Sequence, residues 1–156
     1  MKKKLVLLFS SFFYIGFSPI APGTVGTLGG VGLYLLFRFL HIGRCEEILF
    51  LLILLPIGIW ISGLAEEILK EKDPGPVVID EVIGFLVTML WIPFSWFSLI
   101  AGFLLNRFFD IWKPFPVRHL QNLRKGWGIV LDDILSSFYA HCFLRFFLFL
   151  LKIKLS

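Results

Sequence analysis

Six of the eleven acidic residues fall in three short segments: Asp73, Asp80 and Glu81 in DPGPVVIDE, Asp110 in RFFDIWKP, and Asp132 and Asp133 in GWGIVLDD. Asp80, Asp132 and Asp133 have apolar neighbours along the chain, where a lone carboxylate is costly. Acids in such surroundings, within or at the edge of a membrane, mark functional sites. Several that converge on one point cannot all stay ionised unless a cation neutralises them. An all-oxygen group without His or Cys suits a hard divalent ion, Mg2+ first. The competing reading is a set of ion pairs, Asp110 or Asp132 with Arg107, Lys113 or Lys125.

Phosphate chemistry has its own signals. APGTVGTLGG puts a turn directly before a helix, with Gly23, free backbone N–H groups and the hydroxyls of Thr24 and Thr27. Such a helix start can hold a phosphate through its N–H groups and dipole, and Thr24 is the N-cap candidate. Gly126 and Gly128 either free the backbone for a turn or let a headgroup approach. The other use of glycines here, Gly26, Gly29 and Gly30 included, is close helix packing.

Other phosphatase chemistries lack their residues. A cysteine-based site needs C-x5-R, but the sixth residue after Cys45 is Leu51 and after Cys142 is Leu148. Neither an SGH-type motif nor a DxDx[TV] loop is present. His41, His119 and His141 are isolated and carry no role in this reading. The two cysteines have no CxxC spacing and read as small core hydrophobes.

These side chains must be positioned by an unusual chain. Its 156 residues are 58% hydrophobic, 17% aromatic and 17% charged, with mean hydropathy +0.88. That is too much apolar surface for a soluble core of this size. The composition excludes a disordered chain, a disulfide scaffold and an ordinary cytosolic enzyme. The net charge of +4 is placed beside anionic lipid rather than nucleic acid. An all-α fold is expected: a small polytopic membrane helical bundle in one domain, 1–156.

The three N-terminal lysines and the apolar run 5–17 imitate a signal peptide, but Pro19 and Pro22 stand where small cleavage residues belong. The segment is expected to stay, as a helix at the membrane surface or within the fold. Longer helices are expected over 24–40, over 46–69 with a kink at Pro56, and over 129–151. The stretch 82–105 is interrupted at Pro93 and reads as a hairpin of 82–91 and 97–112, neither half long enough to cross comfortably. The hairpin brings Asp80, Glu81 and Asp110 to one membrane face.

That face carries 19–27, 70–81, 107–125 and 126–133. Its basic residues are Lys70, Lys72, Arg107, Lys113, Arg118, Arg124 and Lys125, against Arg38, Arg44, Arg145, Lys152 and Lys154 opposite. The bias favours the acid-bearing face as cytoplasmic.

Taken together, SPIAPGTVGTLGG, DPGPVVIDEVIG, RFFDIWKPFPVR and GWGIVLDD resemble, in this order, the phosphatidylglycerophosphatase A family. The resemblance implies a Mg2+-dependent lipid phosphatase that converts phosphatidylglycerophosphate to phosphatidylglycerol in phospholipid biosynthesis, multi-pass in a bacterial inner membrane. It makes Asp80, Glu81, Asp132 and Asp133 the leading metal ligands, and Asp110, Arg107 and Lys113 further catalytic residues alongside Asp80, Asp132 and Asp133. Asp73 matches the acid that opens the middle motif. The family commonly has an acid after the KPxP motif; here Gln121 stands nearest.

In the corresponding mechanism the carboxylates hold one or two Mg2+ ions, Arg107 and Lys113 hold the transferring phosphate, and Thr24 and Thr27 add donors. Gly23, Gly126 and Gly128 admit the substrate. Either water or an Asp is the nucleophile. The partners implied are the lipid substrate, surrounding membrane lipid and a possible second copy of the chain, with no nucleic acid. The alternative function is a small ion or proton transporter using the buried carboxylates as a relay.

Overall fold

The structure, a computed structural model, describes residues 2–123 and 125–151; Arg124, Lys152 and Lys154 of the charge comparison lie outside the described residues. Among the described residues there are seven α-helices and no strand. They are α1 (Lys2–Ser10), α2 (Pro22–Phe39), α3 (Arg44–Leu69), α4 (Ile79–Met89), α5 (Trp96–Trp112), α6 (Val117–Leu120) and α7 (Gly126–Leu150), with a 3-10 turn at Ile15–Phe17.

The centre of the bundle is α4, in which nine of eleven residues are buried. It packs on α2, α3, α5 and α7, so the acids in its first turn, Asp80 and Glu81, are held by the most enclosed element. Toward its C-terminus, Phe85, Leu86 and Met89 meet Tyr34, Phe37, Leu99, Leu144 and Leu148. Toward its N-terminus, Ile79 and Ile83 meet Ile59, Ala65, Ile129 and Val130.

The hairpin forms because Leu90 leaves the helical region and Trp91 takes a left-handed φ of 59°. Ser95 then caps α5, its hydroxyl accepting from the Ser98 N–H at 2.9 Å. At 11 and 17 residues, α4 and α5 are about 16 and 25 Å long. Only α3 and α7 among the described residues are long and apolar enough to cross a membrane. They expose Leu52, Ile53 and Trp60, and Phe138, Phe146 and Phe149. Large apolar side chains displayed this freely on long helices mark a membrane or protein-contact surface. Pro56 lies inside α3 without ending it, which lipid-embedded helices tolerate.

Several boundaries differ from expectation: α3 and α4 begin at Arg44 and Ile79 rather than 46 and 82, and α4 ends at Met89 rather than 91. The N-terminal helix stops at Ser10 instead of running through 5–17. The Ser11 hydroxyl donates to Leu7 O at 2.5 Å and accepts from the Tyr14 N–H at 3.1 Å, while Phe12, Phe13 and Tyr14 take left-handed φ values. Next, α2 begins at Pro22 with Ala21 as N-cap, so Thr24 lies inside the first turn; proline suits N1 because its missing N–H would have no helical partner. Finally, α7 begins at Gly126, three residues before the expected 129, at the point where α3 packs against it. A Cβ on Gly126 would overlap Ile59 O and lie 2.6 Å from Gly63 N.

Candidate active site

At one end of the bundle, the first turns of α2 and α4, the last turn of α5 and the second and third turns of α7 converge. Asp80 and Glu81 come from α4 and Asp133 from α7, and one carboxylate oxygen from each lies within 4.8 Å of the others. Asp80 and Asp133 are 5% and 6% exposed. Asp80 Oδ1 and Glu81 Oε2 are buried without a hydrogen-bond partner. Three carboxylates this close repel one another strongly out of water. Two of them carry oxygens with no hydrogen-bond partner, and an all-oxygen group of this kind suits a hard cation. This buried acidic cluster can bind a metal ion.

Asp132, adjacent in sequence to Asp133, points elsewhere. Its Oδ2 accepts from Lys113 Nζ at 2.6 Å, while its Oδ1 has no partner. Consecutive helical residues are turned about 100° apart, so the pair serves two neighbours. Lys113 can reach α7 because it ends α5 in a left-handed conformation, φ 46°, with Pro114 next in the chain. Burial works against the Lys113 charge. Its hydrogen bond to Asp132, with the negative charges of Asp132, Asp133 and Asp110, outweighs that and holds the ammonium above the ordinary lysine range.

Arg107 and Asp110 sit one turn apart on α5 with Arg107 Nη1 2.8 Å from Asp110 Oδ2, and Lys113 Nζ lies 3.9 Å from Asp110 Oδ1. Arg107 Nη1 also donates to Thr27 Oγ1 at 3.3 Å, and Thr27 Oγ1 donates to Gly23 O at 3.0 Å. Gly23 is where α2 needs no side chain: a Cβ there would lie 2.5 Å from Glu81 Oε1 and 3.1 Å from Arg107 Nη2. The start of α2 thus lies directly over the acid and the guanidinium.

Of the sequence-predicted residues, the structure brings together Asp80, Glu81, Asp133, Asp132, Asp110, Arg107, Lys113, Thr27 and Gly23. Thr24 is half-buried one residue beyond Gly23. Asp73 is exposed, its N–H donating to Glu66 Oε1 at 3.1 Å. Gly126 is instead the α3–α7 contact described above. Gly128 lies under the carbonyls of Leu123, Gln121 and Leu120, where a Cβ would be 2.8, 3.1 and 3.4 Å from them. At both glycines an added Cβ would meet backbone atoms.

Sequence reasoning passed over Thr88, Asn106 and Ser137, which form a buried hydrogen-bonded layer below the acids. A signal was present: each stands four or eight residues from an acid on its own helix, hence on the same face.

Comparison with known proteins follows this geometry. The sequence matches the family PgpA, Phosphatidylglycerophosphatase A, over residues 8–148. A Bacteroides thetaiotaomicron protein provisionally named a phosphatidylinositol-3-phosphatase is 37% identical over 144 residues, covering 87% of this chain and 89% of its own. Phosphatidylglycerophosphatase A of Escherichia coli is 35% identical over 127 residues, 80% of this chain and 73% of that protein. The Haemophilus influenzae protein of the same name is 36% identical over 122 residues, 77% and 74% of the two chains. No solved structure matches the chain.

Proposed function

The chain belongs to the phosphatidylglycerophosphatase A family and is a phosphatase acting on a phosphate monoester; on that premise we propose that it is a Mg2+-dependent enzyme converting phosphatidylglycerophosphate to phosphatidylglycerol and phosphate. The observation that carries the reading is the group Asp80, Glu81 and Asp133 with its orphaned oxygens, set beside the Arg107 guanidinium. These three residues would hold the ion; Asp132 lies outside the group, tied to Lys113, with its Oδ1 unpartnered.

In the net reaction the phosphorus–oxygen bond to the lipid breaks, phosphorus gains an oxygen from water, and the lipid oxygen takes up a proton. A dianionic phosphate repels an anionic nucleophile, so the site must supply positive charge and alignment. When bound, Mg2+ supplies charge to the phosphoryl group and acidity to water. Arg107 offers a planar fork of donors to phosphate oxygens. Asp110 and Thr27 hold that fork in place. Lys113, tied to Asp132, stays protonated through neutral pH and acts as fixed charge rather than proton donor. The first turn of α2 packs at Gly23 directly on Glu81 and Arg107, which places the hydroxyl of Thr24 one residue on from that contact as a further donor.

Bacterial relatives and the two candidate spans support placement in a bacterial inner membrane. The basic residues at the acid-bearing end support a cytoplasmic site. The same chemistry in phospholipid biosynthesis is the role this substrate implies.

The relative named for phosphatidylinositol 3-phosphate favours a second substrate reading within the same chemistry. The test is phosphate release by the purified protein in detergent, given each lipid separately with Mg2+. Faster release from phosphatidylglycerophosphate supports the proposal. Faster release from phosphatidylinositol 3-phosphate replaces its substrate, and release from neither contradicts it.

A further inference from the structure

The three helices that carry the carboxylates repeat one pattern. On α4, Asp80 is followed at steps of four by Gly84 and Thr88; on α5, Gly102 and Asn106 lead by the same step to Asp110; on α7, Asp133 is followed by Ser137 and His141. Residues four apart share a helix face, so below each acid lies a small or polar residue directed at the same neighbours.

The small residues let the helices close up. A Cβ on Gly84 would sit 2.5 Å from Ser137 Oγ, and one on Gly102 would sit 2.5 Å from Met89 Sδ. In the space that remains, Asn106 Nδ2 donates to Thr88 Oγ1 at 2.9 Å and to Ser137 Oγ at 2.8 Å. Thr88 Oγ1 donates to Ser137 O at 3.3 Å, and His141 Nδ1 lies 3.1 Å from Thr88 O. Asn106 is 3% exposed, and Thr88 and Ser137 are fully enclosed. One amide thus joins all three acid-bearing helices.

We propose that Asn106 is a positioning residue: by bridging Thr88 and Ser137 it fixes the register of α4, α5 and α7, and through that register the spacing of Asp80, Glu81, Asp110 and Asp133. The inference rests on the metal-site reading above. Asn106 lies one helical turn from Asp110, and its amide bonds go to Thr88 and Ser137. It sets how far apart the carboxylates are held, and an acid group of this kind tolerates little displacement. Simple packing would not require a three-way tie, because apolar side chains of the same size fill such a space in a membrane bundle.

A structural role and a positioning role separate in the combined variant Thr88→Val, Asn106→Leu, Ser137→Ala. Replacing every partner by an apolar group of similar shape strands no polar atom, and stability is largely kept. The readouts are thermal stability, binding of Mn2+ alone, and kcat for phosphatidylglycerophosphate. The combined variant is expected to fold and to bind Mn2+ about tenfold more weakly, with kcat reduced by about as much. A folded variant with wild-type Mn2+ binding and kcat overturns the proposal.

If that variant does not fold, Thr88→Val and Ser137→Ala separately cut one tie each. Each is expected to weaken Mn2+ binding partway, and wild-type binding in both overturns the proposal. Because Mn2+ binding is read without turnover, absence of phosphate release from wild-type protein falls on the phosphatase reading. Unchanged Mn2+ binding in the variants falls on the positioning role.

Discussion

Where the tip of the α4–α5 hairpin meets α2 and α3, Arg38 pairs with Glu47, and its guanidinium lies 5.2 Å from the centre of the Tyr34 ring. At the opposite end Asp80, Glu81, Asp110, Asp132 and Asp133 face two close cations, Arg107 and Lys113. Both regions place charge among apolar helices. At the first end one cation answers one anion. At the second, five carboxylates face two cations. Buried atoms without hydrogen-bond partners occur at both ends, Glu47 Oε1 and Arg38 Nε at the first and Asp80 Oδ1, Glu81 Oε2 and Asp132 Oδ1 at the second. The imbalance of charge is therefore what sets the second apart. A balanced pair is what a bundle needs to hold two helices together. An unbalanced group costs stability, and such sites persist where a ligand completes them.

Substitutions at the two ends should therefore separate activity from stability. The largest effect is expected for Asp80→Asn, which removes one charge of the three-carboxylate group. Phosphate release should fall by at least about 100-fold while the protein remains folded. Arg107→Lys keeps the charge but loses the fork that meets Asp110 and Thr27 and that, in the proposed mechanism, holds the phosphate. A fall in kcat/KM of about 10- to 100-fold is expected in the same assay.

At the closed end the pattern reverses. Glu47→Gln should lower stability by about 1–3 kcal/mol in detergent unfolding and leave kcat of the folded protein unchanged. A large loss of kcat there would erase the distinction between the ends.

The Lys113–Asp132 pair gives a pH signature with a definite sign. A lysine held above its ordinary value contributes stability that is complete below about pH 10.4 and is lost as pH rises through the higher native value. The melting-temperature difference between wild type and Lys113→Met should therefore be constant from neutral pH upward and shrink only beyond that point. The smallest effect belongs to Lys125 and Glu67. They are 2.7 Å apart, with side chains 69% and 56% exposed, and Glu67→Ala should leave the melting temperature unchanged within error.

Much of this was legible before any coordinates. The apolar runs and Pro93 were enough for the helices and the hairpin, because lipid-facing segments leave few other choices. The acids stood out because carboxylates in apolar sequence are expensive. What could not be read was direction. Asp132 and Asp133 look alike in the chain, yet the turn between them sends one to Lys113 and the other to Asp80 and Glu81. Gly126 and Gly128 look like a free turn, but both lie inside α7, and α3 packs against Gly126. The turn after Ser10 depends on a hydroxyl from Ser11 that hydropathy does not register. Asn106 hid inside an apolar run, and only its spacing of four from Asp110 betrayed it.

Phosphate release from phosphatidylglycerophosphate tests the central claim most directly, measured in Mg2+ and in EDTA for wild type beside Asp133→Asn. The account predicts release by the wild type in Mg2+ alone, and essentially none from the folded variant in either condition. Release that persists in EDTA, or that survives in Asp133→Asn at the wild-type rate, would contradict it.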